Sequence, residues 1–142
     1  MNADEQAIRD LETRFVTAFN AKDVDAIMKV YAPDVVVFDV TPPRQYVGAD
    51  AYRRDWQETF ASMPGPMKFS LSDLDITVDG NHAYSHSIQY VNGAGKDGKP
   101  VILNVRVTDV YQRINGNWLI THEHVSVPVD LKTGKPDMLS KP

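Results

Sequence analysis

No helical period survives beyond residue 67 of this chain, and four alternating, β-like segments follow at roughly 67–78, 82–91, 101–113 and 117–127. They are separated by Asp79-Gly80-Asn81, the Gly93–Pro100 stretch and Asn115-Gly116-Asn117. Asp-Gly and Asn-Gly between alternating segments are hairpin signals, so the second half reads as a meander of long antiparallel strands. Whatever covers that sheet has to come from the first 66 residues.

Those residues are helical in period. Ala7, Ile8, Leu11, Phe15, Ala18 and Phe19 recur at the spacing of one helical face within residues 3–20. Asn2 followed by Glu5 resembles a capping box, and Asp4 and Glu5 suit the positive end of the helix dipole. Asp23 can cap a second, shorter helix with Ala26, Ile27, Val30 and Tyr31 inward, ending before Pro33 because the residue preceding proline resists the α region. Val35 to Val40 is β-branched and reads as a short strand closed by the Pro42-Pro43 loop. From Asp50 the helical period returns, with Tyr52, Trp56, Phe60 and Met63 in one stripe ended by Pro64-Gly65-Pro66. The stripe serves the core, and its Tyr52 and Trp56 also suit a cavity wall. The architecture expected is α+β: one domain, residues 1–142, with three N-terminal helices packed on a mostly antiparallel sheet. The polar, proline-bearing tail after Pro128 is expected to be extended or loose.

Composition narrows the chemistry. The chain has no cysteine, which excludes disulfides, thiolate nucleophiles and cysteine-based metal centres. A net charge of -4 offers no field for a polyanion, so neither nucleic acid nor an anionic membrane is an expected partner. The longest unbroken apolar run is Val35-Val36-Val37-Phe38, far short of a signal peptide or membrane span, and a cytoplasmic protein is expected. Carboxylates, four histidines, hydroxyls and aromatic rings remain.

Gly93-Ala94-Gly95-Lys96-Asp97-Gly98-Lys99 imitates a phosphate-binding loop, but Pro100 stands where Ser or Thr is needed and a strand follows in place of a helix. A polar hairpin loop is the better reading. His122 and His124, two apart on a strand, share a face and share parity with Trp118, Ile120 and Ser126, which favours an inward position. Three roles stay open for the pair: polar pocket residues, a solvated or interface position, or a metal site needing a third ligand such as His86 or Asp39. Arg106 and Thr108 alternate against the more apolar Val101, Leu103, Val105, Val107 and Tyr111, so taken alone that strand points them outward. Two covered faces, one by helices and one by a second subunit, reconcile these patterns and suggest a homodimer through the outer sheet face. Asp39 ends a strand directly before a proline-bearing loop, where burial would raise its pKa toward that of a useful base; the competing role is an exposed cap of the Thr41-Pro42 turn.

The order of Phe15 to Ile27, then Tyr31-Ala32-Pro33-Asp34-Val35, Val37-Phe38-Asp39, Tyr46-Val47-Gly48 and Gly116-Asn117-Trp118-Leu119-Ile120 with His122, His124 and Ser126 resembles the NTF2-like superfamily, which includes ketosteroid isomerase and the SnoaL-like polyketide cyclases. The resemblance implies a cone in which a strongly curved sheet wraps the helices around a deep apolar cavity, commonly in a dimer. Ketosteroid isomerase pairs an Asp base with an oxyanion hole of a Tyr and a protonated Asp. By resemblance Asp39 falls on the base, whereas Phe15 replaces the tyrosine and Thr108 the second acid. Limonene epoxide hydrolase, another relative, has an Arg and an Asp two apart on a central strand, where this chain has Arg106 and Thr108. The expected protein is therefore a small-molecule pocket protein, with isomerase or cyclase chemistry on an apolar, oxygen-bearing ligand. Asp39 is the candidate base, and Arg106, His122 and His124 are electrophilic or orienting groups. Phe15, Tyr46, Tyr52, Trp56 and Thr108 contact the substrate, and neither a cofactor nor a metal is required. The alternative is a non-catalytic ligand-binding or assembly module similar to the association domain of calmodulin-dependent kinases.

Overall fold

The computed structural model describes residues 2–140. Its elements are α1 (Ala3–Asn20), α2 (Val24–Met28), β1 (Tyr31–Phe38), β2 (Tyr46–Val47), α3 (Ala49–Ser62), β3 (Met67–Asp79), β4 (His82–Ala94), β5 (Pro100–Ile114), β6 (Asn117–Ser126), and a short pair, β7 (Val129–Asp130) and β8 (Lys135–Pro136). The main sheet runs β2-β1-β6-β5-β4-β3, and β1 against β6 is its parallel pair among the described residues. The fold is thus α+β, with a curved, mostly antiparallel sheet. Of the three helices, α1 and α2 precede the first strand, and α3 follows β1 and β2.

Local signals explain the elements. The Asn2 side chain accepts the Glu5 amide at 2.7 Å and the Asp23 side chain accepts the Ala26 amide at 3.1 Å, capping α1 and α2. Helix α1 buries Ile8, Leu11, Phe15, Ala18 and Phe19 as its spacing requires, but Ala7 is exposed and Glu12 occupies the stripe instead. Helix α2 is shorter than its apolar spacing suggests. Pro33 biases Ala32 toward extended backbone, and Tyr31, one residue earlier, already opens β1 by pairing with Ile120. Pro33 is exposed and lies at the irregularity of the β1–β6 ladder between Tyr31 and Val36, where its missing donor costs no ladder bond. The strand then ends at Phe38 and leaves Asp39 and Val40 to the following loop.

Strands β3 to β6 form the meander, and the glycine-rich stretch is the turn between β4 and β5. The polar tail folds back as the β7–β8 hairpin, with Gly134 at φ 69° in its turn, so it is less loose than its composition suggests. Helix α1 packs on β3 and α3 on β1, and their apolar faces meet the inner sheet face in one core. Among the described residues no helix is long and apolar enough to cross a membrane.

Candidate functional site

Alternation along β1 turns Val35 and Val37 inward, so the next residue of that parity, Asp39, reaches the space between the helices and the sheet. That space is a cavity of about 270 Å³. Phe15 and Phe19 of α1, Tyr52 and Trp56 of α3 and Phe69 of β3 form its aromatic end. Val91, Leu103, Val105 and Val125 supply the sheet side. The rings pack edge to face: centroids are 5.4 Å apart for Phe15–Phe69, 5.8 Å for Phe15–Trp56 and 5.6 Å for Phe19–Trp56. The indole N–H of Trp56 is buried with no hydrogen-bond partner among the described residues.

Two acids meet at the wall. Asp39 accepts the Val40 amide at 2.7 Å, and Asp55 of α3 comes within hydrogen-bonding reach of it. Asp55 is itself held by the Tyr46 hydroxyl at 2.9 Å. Burial is the main reason that the Asp39 pKa rises to about 7; the Val40 amide opposes the rise, and the charges of Asp55 and Glu123 add to it. Asp39, when protonated, is placed to donate to Asp55.

A third acid forms the floor. Glu123 is 5% exposed and accepts the hydroxyls of Tyr52 at 2.9 Å and Tyr31 at 3.2 Å. Behind it stand Asp109 and Glu12, both fully buried, and Glu12 accepts the hydroxyl of Tyr111, which also bonds Ser85 at 2.8 Å. Burial raises all three carboxyl groups. Asp109 lies between the other two and is pushed well above the usual range by burial and by their charges, which favours its protonated form as the donor toward them. Three acids were placed in the core by sequence positions that drew no attention: Glu12 on the buried stripe of α1, Asp109 in parity with Val105 and Val107, and Glu123 between the histidines.

Among the residues singled out from the sequence, Asp39, Phe15, Tyr52 and Trp56 come together at the cavity. Tyr46 stands one contact away, behind Asp55. His122, His124, Arg106 and Thr108 lie on the other face of the sheet. The inward position expected for the histidines is corrected by a bulge: Tyr111 pairs with Ile120 and Val110 with His122, so Thr121 is an extra residue in β6. The bulge reverses parity, turning Glu123 and Val125 inward and the histidines outward. His122 and His124 pack on the exposed ring of Phe38 with centroids at 4.9 and 5.5 Å, and His122 Nδ1 bonds the Val36 carbonyl at 2.7 Å. Arg106 donates to Ser126 at 3.1 Å, and Thr108 is exposed between His86 and His124. Asp39, one of the two third ligands considered for the histidine pair, therefore lies across the sheet from it. Among the described residues no three His, Asp or Glu side chains are placed to hold a metal ion.

A family model described as "SnoaL-like domain" matches residues 8–130. The chain is similar to an NTF2-like protein of unknown function from Pseudomonas putida KT2440, with 33% identity, a TM-score of 0.90, and coverage of 99% of this chain and 97% of that one. It is also similar to a protein from Novosphingobium aromaticivorans described as a candidate aromatic ring hydroxylase, at 26% identity and TM-score 0.79, covering 93% and 96% of the two chains. A ketosteroid isomerase-like protein from Erwinia carotovora atroseptica shares the fold at 19% identity and TM-score 0.76, over 89% of this chain and 97% of that one. No curated protein matches the chain.

Proposed function

The chain belongs to the SnoaL-like family, within the NTF2-like superfamily, and on that premise we propose that it is a small-molecule pocket protein that moves a proton on an apolar, oxygen-bearing substrate, as an isomerase or cyclase does. The observation that carries this reading is the position of Asp39: a carboxyl group at the wall of an aromatic cavity, with a pKa of about 7 caused chiefly by burial. A base of that strength is partly ionised at neutral pH and gives its proton back readily once protonated. In the proposed step Asp39 takes a proton from carbon next to a carbonyl and returns it at another position. The Trp56 indole N–H and the Gln89 amide are the candidate donors to the enolate oxygen. Asp55, positioned by Tyr46, holds Asp39 in place.

The experiment follows deuterium exchange of the α-protons of cyclic ketones, 2-tetralone among them, by NMR. The wild-type protein is expected to exceed the buffer rate, with the rate rising with pH through about 7 as Asp39 ionises. Asp39→Asn is expected to lose about 100-fold or more. Equal exchange by the variant, or no exchange across the ketone panel, overturns the catalytic reading.

The reading includes a second copy of the chain. Phe38, Tyr84, Tyr90 and Ile102 are large apolar residues left exposed on the outer sheet face, which supports a homodimer through that face.

A further inference from the structure

We infer that the cavity selects a ligand carrying a positive charge: an apolar amine, bound as its ammonium form, with its hydrocarbon body among the aromatic rings. The inference rests on the reading of the cavity as a ligand site and goes further in naming the ligand's charge. Every ionisable side chain of acid or base type that lines the cavity is an acid, Asp39, Asp55 or Glu123; among the described residues no Lys, Arg or His lines it. The cations that an anionic ligand would need are elsewhere. Arg106 and His124 face outward across the sheet, and Lys22 is occupied with the carbonyl oxygens of Met63 and Gly65 at 2.5 and 2.7 Å.

Glu123 accepts the hydroxyls of Tyr31 and Tyr52 and the carboxyl group of Asp109, and His122 acts on it only from the far face of the sheet. Burial raises the carboxyl groups of Glu123 and Asp39, and a cation seated beside them is the charge that would favour their ionised forms. The groups that face Asp39 are Asp55 from α3, Glu123 from β6 and the hydroxyls of Tyr46 and Tyr52, none of them cationic. The rest of the wall acts in the same direction, because aromatic faces attract a cation within about 6 Å of the ring centre. An ammonium ion entering an apolar space pays a desolvation cost unless it is paired, and here carboxyl groups at both the wall and the floor offer the pairing. The volume of about 270 Å³ is at the small end of ligand pockets and suits a compact amine of one or two rings.

The linkage gives a second signature. Asp39 holds a proton that a bound cation displaces, so binding of an amine releases protons to the buffer near pH 7, and binding of a neutral isostere does not.

Isothermal titration calorimetry at pH 7.5 with 2-aminotetralin, 2-tetralol and tetralin-2-carboxylate tests the inference on three ligands of one shape and three charges. The amine is expected to bind about 10-fold tighter than the alcohol and the carboxylate weakest, and in buffers of different ionisation enthalpy the amine alone is expected to release protons. Asp39→Asn and, separately, Asp55→Asn are expected to shrink the preference for the amine over the alcohol. The use of two variants guards against a single one that fails to fold. An alcohol that binds as tightly as the amine overturns the inference and leaves the pocket reading standing. Failure of all three to bind overturns both.

Discussion

Asp39 shows one environment with two consequences. The burial that makes it a base near neutral pH also makes its ionised form unfavourable in the folded chain. An acid whose folded pKa lies above its unfolded value gives stability that is fully present below the unfolded pKa, about 3.8, and is lost as pH rises through about 7. Asp39→Asn removes that loss. In chemical denaturation its stability is expected to stay near the wild type at pH 4 and to exceed it at pH 8, by roughly 2 kcal/mol after allowance for partial exposure. Equal stabilities for the two proteins across that range would count against the raised pKa. The position of Asp39 was legible because its alternation with Val35 and Val37 is visible in the sequence. Glu12 and Asp109 were equally placed on apolar faces, by four-residue spacing from Ile8 and by parity with Val107. What the sequence does not display is what surrounds such an acid: Glu12 is satisfied by Tyr111, 99 residues away, whereas Asp109 meets two other acids and its Oδ1 has no hydrogen-bond partner among the described residues.

At the scale of elements, caps and hairpin turns were readable because they are local, whereas bulges decide which face a side chain joins. In β3 the apolar positions Met67, Phe69 and Leu71 are followed by Leu74, Ile76 and Val78, a change of parity that marks the irregularity between Ser72 and Asp75, where Asp73 has φ 56°. The same signal stands in β6, where Trp118 and Ile120 are followed by Val125. Reading through it as regular alternation carries His122 and His124 inward; taking the extra residue at Thr121 into account carries Glu123 inward. The consequence is measurable. His122→Ala, His124→Ala and Arg106→Ala are each expected to change ketone exchange and amine affinity by less than about 3-fold, because none touches the cavity, whereas loss of a group that stabilises a developing charge there costs about 100-fold or more. A 100-fold loss in His122→Ala would place that ring in the reaction and contradict the bulge.

The whole molecule carries more surface than its mass requires. A compact monomer of 15.9 kDa exposes about 7,400 Å², and this chain exposes 8525 Å². The β7–β8 tail accounts for part of the excess, with Leu131 94% exposed. The outer sheet face supplies another part, with Tyr84 and Tyr90 of β4 and Ile102 of β5 exposed on it. An interface of standard size needs about 800 Å² from each partner, near a tenth of the surface available here. An assembly on this face leaves the cavity untouched on the opposite side of the sheet, so ligand binding and self-association are expected to be separable. Sedimentation equilibrium is expected to give a dimer for the wild type and a monomer for Tyr84→Glu, which places a like charge on the outer face of each copy. The variant is expected to keep the wild-type affinity for 2-aminotetralin within about 2-fold, since no residue of the cavity wall belongs to that face. A wild-type monomer at micromolar concentration rules out the dimer, and a Tyr84→Glu variant that dimerises normally moves the interface elsewhere. Loss of ligand affinity together with the dimer shows instead that the two faces of the sheet are coupled through β5 and β6, the strands that carry both.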